Sequence, residues 1–267
     1  DIKKGNTLTE PKHTKDGEIM TFDRVIANPP FSLKKWGKKK ADNDKYGRFI
    51  YGTPPNDYGE LAFLQHMISS LNSDGVLGVV MPHGILFRGS SEKTIREGLI
   101  KDDLIEAIIA LPPNLFYGTS IAATIIIINK KKLKDRKGKI IFINSEFEYE
   151  ERANKNFLAD DNIKKILNLF DNFQNLTIPK SSEKYNRNFS KVISNEEIIK
   201  NDYNMNVKRY VDASPPDEFF DAFGIINSGI PTQEIEDDYI KETIDGIDIN
   251  KILDKKEKKY FVFKKEI

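Results

Sequence analysis

Between Phe22 and Asn144 the apolar positions gather into short runs parted by polar turns. "FDRVIA" (Phe22 to Ala27) and "VLGVVMP" (Val76 to Pro82) read as strands. Between them Leu61, Leu64, Ile68 and Leu71 recur at helical spacing, and the pattern stops at the turn signal Ser73-Asp74-Gly75. A helix around Glu92 to Lys101 follows, then strands "LIEAIIALP" (Leu104 to Pro112), "AATIIIIN" (Ala122 to Asn129) and "KIIFIN" (Lys139 to Asn144). Runs that are apolar at consecutive positions imply burial on both faces, so the pattern predicts an α/β sheet covered by helices and mostly parallel, with an antiparallel strand.

After residue 150 the pattern changes. Asn, Lys and Glu become frequent, and helical spacing appears near Asp161 to Phe170, Asn195 to Lys200 and Pro216 to Phe223. The expectation is a division into 1–150, the sheet region, and 151–267, a mainly helical region. The tail "DKKEKKYFVFKKEI" is charged enough for its start to be a solvated helix or an ordered end.

Composition narrows the chemistry. With 39% hydrophobic and 31% charged residues among 267, the chain is ordinary for a soluble protein. No run approaches the roughly 18 apolar residues of a membrane span and no signal peptide opens it, so the expected location is the cytoplasm, away from membranes. The absence of cysteine excludes disulfides and thiolate chemistry, and His13, His66 and His83 are not spaced as ligands, so no metal is expected. The net charge of +1 excludes nucleic-acid binding by bulk electrostatics alone. Two basic clusters stand out. Lys34, Lys35, Lys38, Lys39, Lys40, Lys45 and Arg48 surround Trp36, while Lys130, Lys131, Lys132, Lys134, Arg136, Lys137 and Lys139 occupy a turn. A solvated loop suits the second better; for the first, phosphate contact and a solvated loop both remain open.

The first strand runs into Asn28-Pro29-Pro30-Phe31. Two prolines cannot continue a sheet ladder, and although such a pair is most often an edge or turn device, ligands of open α/β sheets bind just past the carboxyl ends of strands. The prolines fix φ near about −65° and stiffen the bend. The Asn28 amide oxygen and the Pro29 carbonyl then form two neighbouring acceptors, suited to an amino group with two N–H donors such as that of adenine. Drawing both hydrogens to these acceptors frees the nitrogen lone pair to attack. Phe31 supplies a stacking face for a base flipped from the duplex, worth about 1–3 kcal/mol.

Asn-Pro-Pro-Phe resembles the catalytic motif of amino-methylating S-adenosylmethionine-dependent methyltransferases. The longer series is similar to the modification (M) subunit of type I restriction-modification systems: "GNTLTEP" (Gly5 to Pro11), "FDRVIANPPFS", "LAFLQHMISSL" (Leu61 to Leu71), "MPHGILFRGSSEKTIREGLI" (Met81 to Ile100), "ALPPNLFYGTSIAATIIIINK" (Ala110 to Lys130) and "EEIIKNDYNMNVKRYV" (Glu196 to Val211). The resemblance implies a partial Rossmann-like methyltransferase sheet and transfer of a methyl group from S-adenosyl-L-methionine to adenine N6 in DNA. It implies as partners DNA, a specificity (S) subunit, a restriction (R) subunit and a second copy of the modification subunit.

By the same resemblance Asn28, Pro29, Pro30 and Phe31 hold the target adenine. Asn6 stands where the family has the acidic residue of Gly-Asp-Thr-Leu that contacts the cofactor adenine. Phe87 and Arg88 border the target pocket, or Arg88 is a salt-bridged structural residue, and Lys34 and Lys35 follow the motif as candidate DNA contacts. The family's Gly-rich loop, similar to Asp-Pro-Ala-Cys-Gly-Thr-Gly-Gly, is missing before Phe22, so the expectation is a carboxyl-terminal fragment with an incomplete cofactor site and no activity by itself. His66 reads as a satisfied helical histidine, and His83 as a loop residue whose placement alone does not bring it to the pocket. Tyr117, Gly118 and Thr119 read as a turn, with Tyr185 and Arg187 in a polar segment able to reach DNA. Two other readings stay open: a protein glutamine-amide methyltransferase, because a carboxamide also offers two N–H donors, and a non-enzymatic docking module.

Overall fold

The computed structural model describes residues 1–116, 121–177, 188–211, 229–235, 240, 248–256 and 260–264. Two compact units appear, Asp1–Pro215 and Pro216–Ile267. In the first, a hairpin of β1 (Thr14–Lys15) and β2 (Glu18–Ile19) precedes a seven-stranded sheet. Its strands are β3 (Phe22–Ala27), β4 (Leu71–Pro82), β5 (Ile105–Ala110), β6 (Ala123–Asn129), β7 (Lys139–Asn144), β8 (Leu176–Thr177) and β9 (Asn188–Ser194), ordered β3-β4-β6-β5-β7-β9-β8. β3 with β4 and β5 with β7 are parallel, and the other pairings are antiparallel. Five strands therefore share one direction, while β6 and β9 oppose it. The sheet is mixed and mostly parallel as the pattern predicts, with β9 as a second reversed strand.

Helices α2 (Glu60–Ser69) and α3 (Ser91–Lys101) fall where the periodicity places them, and a short α1 (Lys38–Ala41) lies in the basic loop. Leu71 is a correction: the helix closes at Ser69, where the Ser70 N–H bonds back to the His66 carbonyl, and Leu71 opens β4. The Ser73-Asp74-Gly75 signal is absorbed as a register slip in the β3/β4 pairing between Phe22↔Leu71 and Arg24↔Val76.

Successive residues of β5 and β7 enter opposite cores. Ile108 and Phe142 pack with Leu64, Ile95, Leu99, Ile198 and Val207 on one face. Ala107, Ile109, Ile141 and Ile143 pack with Leu169 on the other. Both-face burial thus holds at the centre, where each fully buried Ile, Leu or Phe contributes about 1.5–3 kcal/mol. It fails at β3: Ile26 is 87% exposed, because β3 is the terminal strand of the sheet.

The boundary drawn at residue 150 does not separate compact units. β9 pairs along β7, and the segment after it returns to the same core. α4 (Asp160–Asn172) and α5 (Asn195–Lys200) match the helical readings, and α6 (Val207–Tyr210) sets the Tyr210 ring 4.6 Å from that of Phe142. The helix expected over Pro216 to Phe223 lies outside the described residues. The second unit contains a three-stranded antiparallel sheet in which β12 (Tyr260–Phe263) lies between β10 (Ile230–Pro231) and β11 (Leu253–Lys256). Of the two readings of the charged tail the ordered end holds, its described residues being strand over 254–256 and Tyr260–Phe263 rather than helix.

Replacing Phe142 by alanine deletes a fully buried ring from the centre of this arrangement. We expect a loss of about 3–5 kcal/mol, read as a lower urea midpoint at unchanged slope.

Candidate active site

β3 delivers Asn28 to the carboxyl end of the sheet beside β4, which pairs with it in parallel as far as Ala27↔Val79. Asn28 is exposed, and among the described residues its amide makes no hydrogen bond. Pro29 is buried and wedges the bend, Pro30 is exposed, and Phe31 is half-buried. The edge of Phe31 meets Phe116, with ring centroids 6.4 Å apart and planes at 70°. Phe116 belongs to the loop after β5, so two strand ends contribute aromatic rings to one place.

Beyond Phe31 the chain turns sharply at Ser32, whose φ of 53° lies in the left-handed region that non-glycine residues seldom occupy. The Ser32 N–H donates to Glu60 Oε1 at 2.7 Å. Glu60, the first residue of α2, has 0% exposure, although an acidic residue heading a helix reads from sequence as a solvated one. Its other oxygen has no hydrogen-bond partner among the described residues and lies 3.9 Å from Arg88 Nη2.

Of the two readings of Arg88, the ion-paired one matches the geometry. Its Nε and Nη2 donate to Glu92 at 2.5 and 3.1 Å, and its guanidinium lies 4.2 Å from the Tyr58 ring centroid. Gly84 gives it room, since a Cβ there would come within 2.1 Å of Nη1. Phe87 is 46% exposed at the end of the 3-10 turn His83–Leu86. His83, at the head of that turn, has a buried Nε2 with no hydrogen-bond partner among the described residues. Burial pushes its pKa down.

Asn6 is spent differently from the expectation. Its Oδ1 accepts from the Leu8 and Thr9 N–H groups at 3.0 and 3.1 Å, so the acceptor assigned to a cofactor shapes its own turn. What remains for a ligand is the exposed carboxamide N–H group. The described residues add no glycine-rich turn beside Asn6.

The turn is clamped by Arg48, which donates to the Thr7 and Leu8 carbonyls at 2.9 and 2.7 Å and pairs with Asp44 at 2.7 Å. Burial pushes the Asp44 carboxyl up, but hydrogen bonds from Arg48 outweigh this and hold it below its usual range. Arg48 Nη1 also lies 3.2 Å from His66 Nδ1. A guanidinium only donates, so Nδ1 is the acceptor and the His66 Nε2–H donates to Thr7 Oγ1 at 2.8 Å. Leu8 then packs with Trp36, Ala41 and Ala62, joining the Asn6 segment to the segment following the motif.

Lys34 and Lys35 are exposed beside the motif and form no ion pair among the described residues. Other lysines of that cluster are engaged: Lys38 with Asp42 at 2.8 Å and Lys40 with Glu10 at 2.9 Å. The second cluster is structural in part, with Lys132 on Asp103 at 2.6 Å and Arg136 on Glu106 at 3.2 Å. Tyr117, Gly118, Thr119, Tyr185 and Arg187 lie outside the described residues. Glu60 and Phe116 are residues that pattern reading passes over, and Arg48, grouped with the basic cluster, is buried and spent on its own neighbours rather than open to solvent or phosphate.

Residues 1–219 match the family model described as N-6 DNA Methylase. The type I restriction enzyme MjaVII methylase subunit of Methanocaldococcus jannaschii is 38% identical over 216 residues, which is 78% of this chain and 35% of that protein. The MpnII methylase subunit of Mycoplasma pneumoniae is 34% identical over 244 residues, 86% of this chain and 42% of that protein. The crystal structure of a type I restriction-modification system methyltransferase subunit from Streptococcus thermophilus superposes with a TM-score of 0.67 at 36% identity, covering 78% of this chain and 41% of that one. The chain thus spans well under half the length of each.

Burial, then the charge of Arg48, lower the His66 pKa to about 4 against its ordinary 6.5, with Asp44 opposing. Between those values the unfolded chain binds the proton and the folded one does not, so stability falls as pH drops from 6.5 toward 4 and levels off below. The loss from this group approaches roughly 3 kcal/mol. His66→Gln removes the titration, and its melting temperature should vary less than the wild type's across that window.

Proposed function

This chain belongs to the N-6 DNA methylase family, and we propose that it carries the target-adenine side of the active site of a type I modification subunit, which methylates adenine N6 in DNA. The observation that carries the reading is the exposed, unbonded Asn28 amide held at the end of β3 by the buried Pro29. A flipped adenine stacks on Phe31, with Phe116 closing the edge of the same space. One amine hydrogen goes to Asn28 Oδ1 and the other to the Pro29 carbonyl, which no backbone donor occupies among the described residues. The lone pair, withdrawn from the ring, then points away from both acceptors.

S-adenosylmethionine, when bound, supplies the electrophilic methyl group; Asn6 lies on the margin where its adenine would rest. The residues of this chain hold the acceptor nitrogen, exclude water from one side of it and orient its lone pair. On transfer the methyl–sulfur bond would break as the N–C bond forms, its electron pair staying on sulfur, and the surplus amine proton would leave to solvent.

Lys34 and Lys35 contact backbone phosphates beside the flipped base, giving affinity without sequence information. Choice of sequence then belongs to a specificity subunit and cleavage to a restriction subunit, with a second modification subunit in the assembly. Among the described residues no helix is long and apolar enough to cross a membrane, in keeping with action on cytoplasmic DNA. The glutamine-amide and docking-module readings draw no support from relatives that are themselves methylase subunits.

In the assembled methyltransferase, Asn28→Ala should lower adenine methylation by about 10²-fold or more while assembly is unchanged, the scale expected when one preorganised polar contact to the reacting group is lost. Wild-type turnover in that variant, followed by tritiated methyl incorporation, removes Asn28 from the mechanism. Lys34→Ala and Lys35→Ala should each weaken DNA binding uniformly across sequences and reduce the salt slope by about 1, measured by fluorescence anisotropy over a salt series.

A further inference from the structure

The target loop is almost free of internal hydrogen bonds. Pro29 and Pro30 have no N–H, and from Pro29 to Lys34 the Ser32 N–H to Glu60 bond is the one hydrogen bond to the rest of the protein among the described residues. That bond falls on the residue with the left-handed φ of 53°, a conformation that persists only where its surroundings enforce it. Glu60 is fully buried, sits at the rigid start of α2, and is charge-balanced by Arg88, itself fixed by Glu92 and the Tyr58 ring.

We infer that Glu60 is the positioning residue of the methyl-accepting site: its Oε1, by holding the Ser32 N–H, sets the bend that aims the Asn28 amide and the Pro29 carbonyl. The inference rests on the reading of that loop as the adenine-amine site. It assigns Glu60 no proton transfer and no contact with the base. What Glu60 supplies is a fixed acceptor, and the acceptor need not be charged.

This separates two substitutions of similar size. Glu60→Gln keeps a side-chain carbonyl for Ser32 and should methylate within about threefold of wild type in the assembled enzyme. Glu60→Met removes the acceptor while leaving the Arg88–Glu92 pair intact, and should lower kcat by about 10- to 100-fold with KM for S-adenosylmethionine unchanged, the scale of a reacting group displaced by about 1 Å. Wild-type kcat in Glu60→Met overturns the inference. So does a fall in Glu60→Gln as deep as in Glu60→Met, which would assign the effect to charge.

Amide exchange at Ser32 in this chain provides a readout that needs no activity. Protection in wild type and Glu60→Gln, lost in Glu60→Met, supports the inference; rapid exchange in wild type overturns it even if Glu60→Met fails to fold. If the wild-type assembly does not methylate adenine, the functional reading fails by itself, and the exchange result still decides whether Glu60 holds the loop.

Discussion

A buried carboxylate facing a backbone N–H is costly to leave unmatched, and the arrangement around Glu60 is organised by that cost. Ser32 satisfies one oxygen, and Arg88 stands near the other while giving its stronger bonds to Glu92. Glu92 lies in the first turn of α3, Glu60 opens α2, and Arg88 follows the turn after β4. Three elements are thereby tied to the loop that leaves β3. The loop's own sequence would not hold it, because its two prolines take away the donors with which a turn normally secures itself.

A second buried cation performs a parallel task for the Asn6 segment. Arg48 spends its donors on two carbonyls, Asp44 and His66, and Leu8 drops into a small apolar cluster with Trp36. The Asn6 turn and the segment after the motif therefore share a foundation although about thirty residues separate them. Both parts of the chain fall inside residues 1–219, the region the family model matches.

Much of the fold was legible because the central strands carry runs of consecutive apolar residues and helix spacing is distinct from strand spacing. The Asn28 motif was legible because two prolines after a strand interrupt a pattern that needs no interruption. Strand β9 was not: "NFSKVIS" mixes Asn, Ser and Lys into its apolar positions, and only its pairing with β7 makes it a strand. Leu71 kept helical spacing yet belonged to the next strand, as ends of periodic runs are set by capping bonds that spacing does not reveal. Glu60 was hidden, and Arg48 was misplaced in an open basic cluster, for another reason: pattern reading assigns charged residues to solvent. The Asn6 oxygen, expected at a cofactor, is claimed by the Leu8 and Thr9 N–H groups, a local competition that Asn side chains often win.

One margin of the sheet is unfinished. Along β3 the outward row of peptide groups meets no neighbouring strand among the described residues, and Ile26 stands bare beside it. Such an edge is a template for whatever strand arrives first.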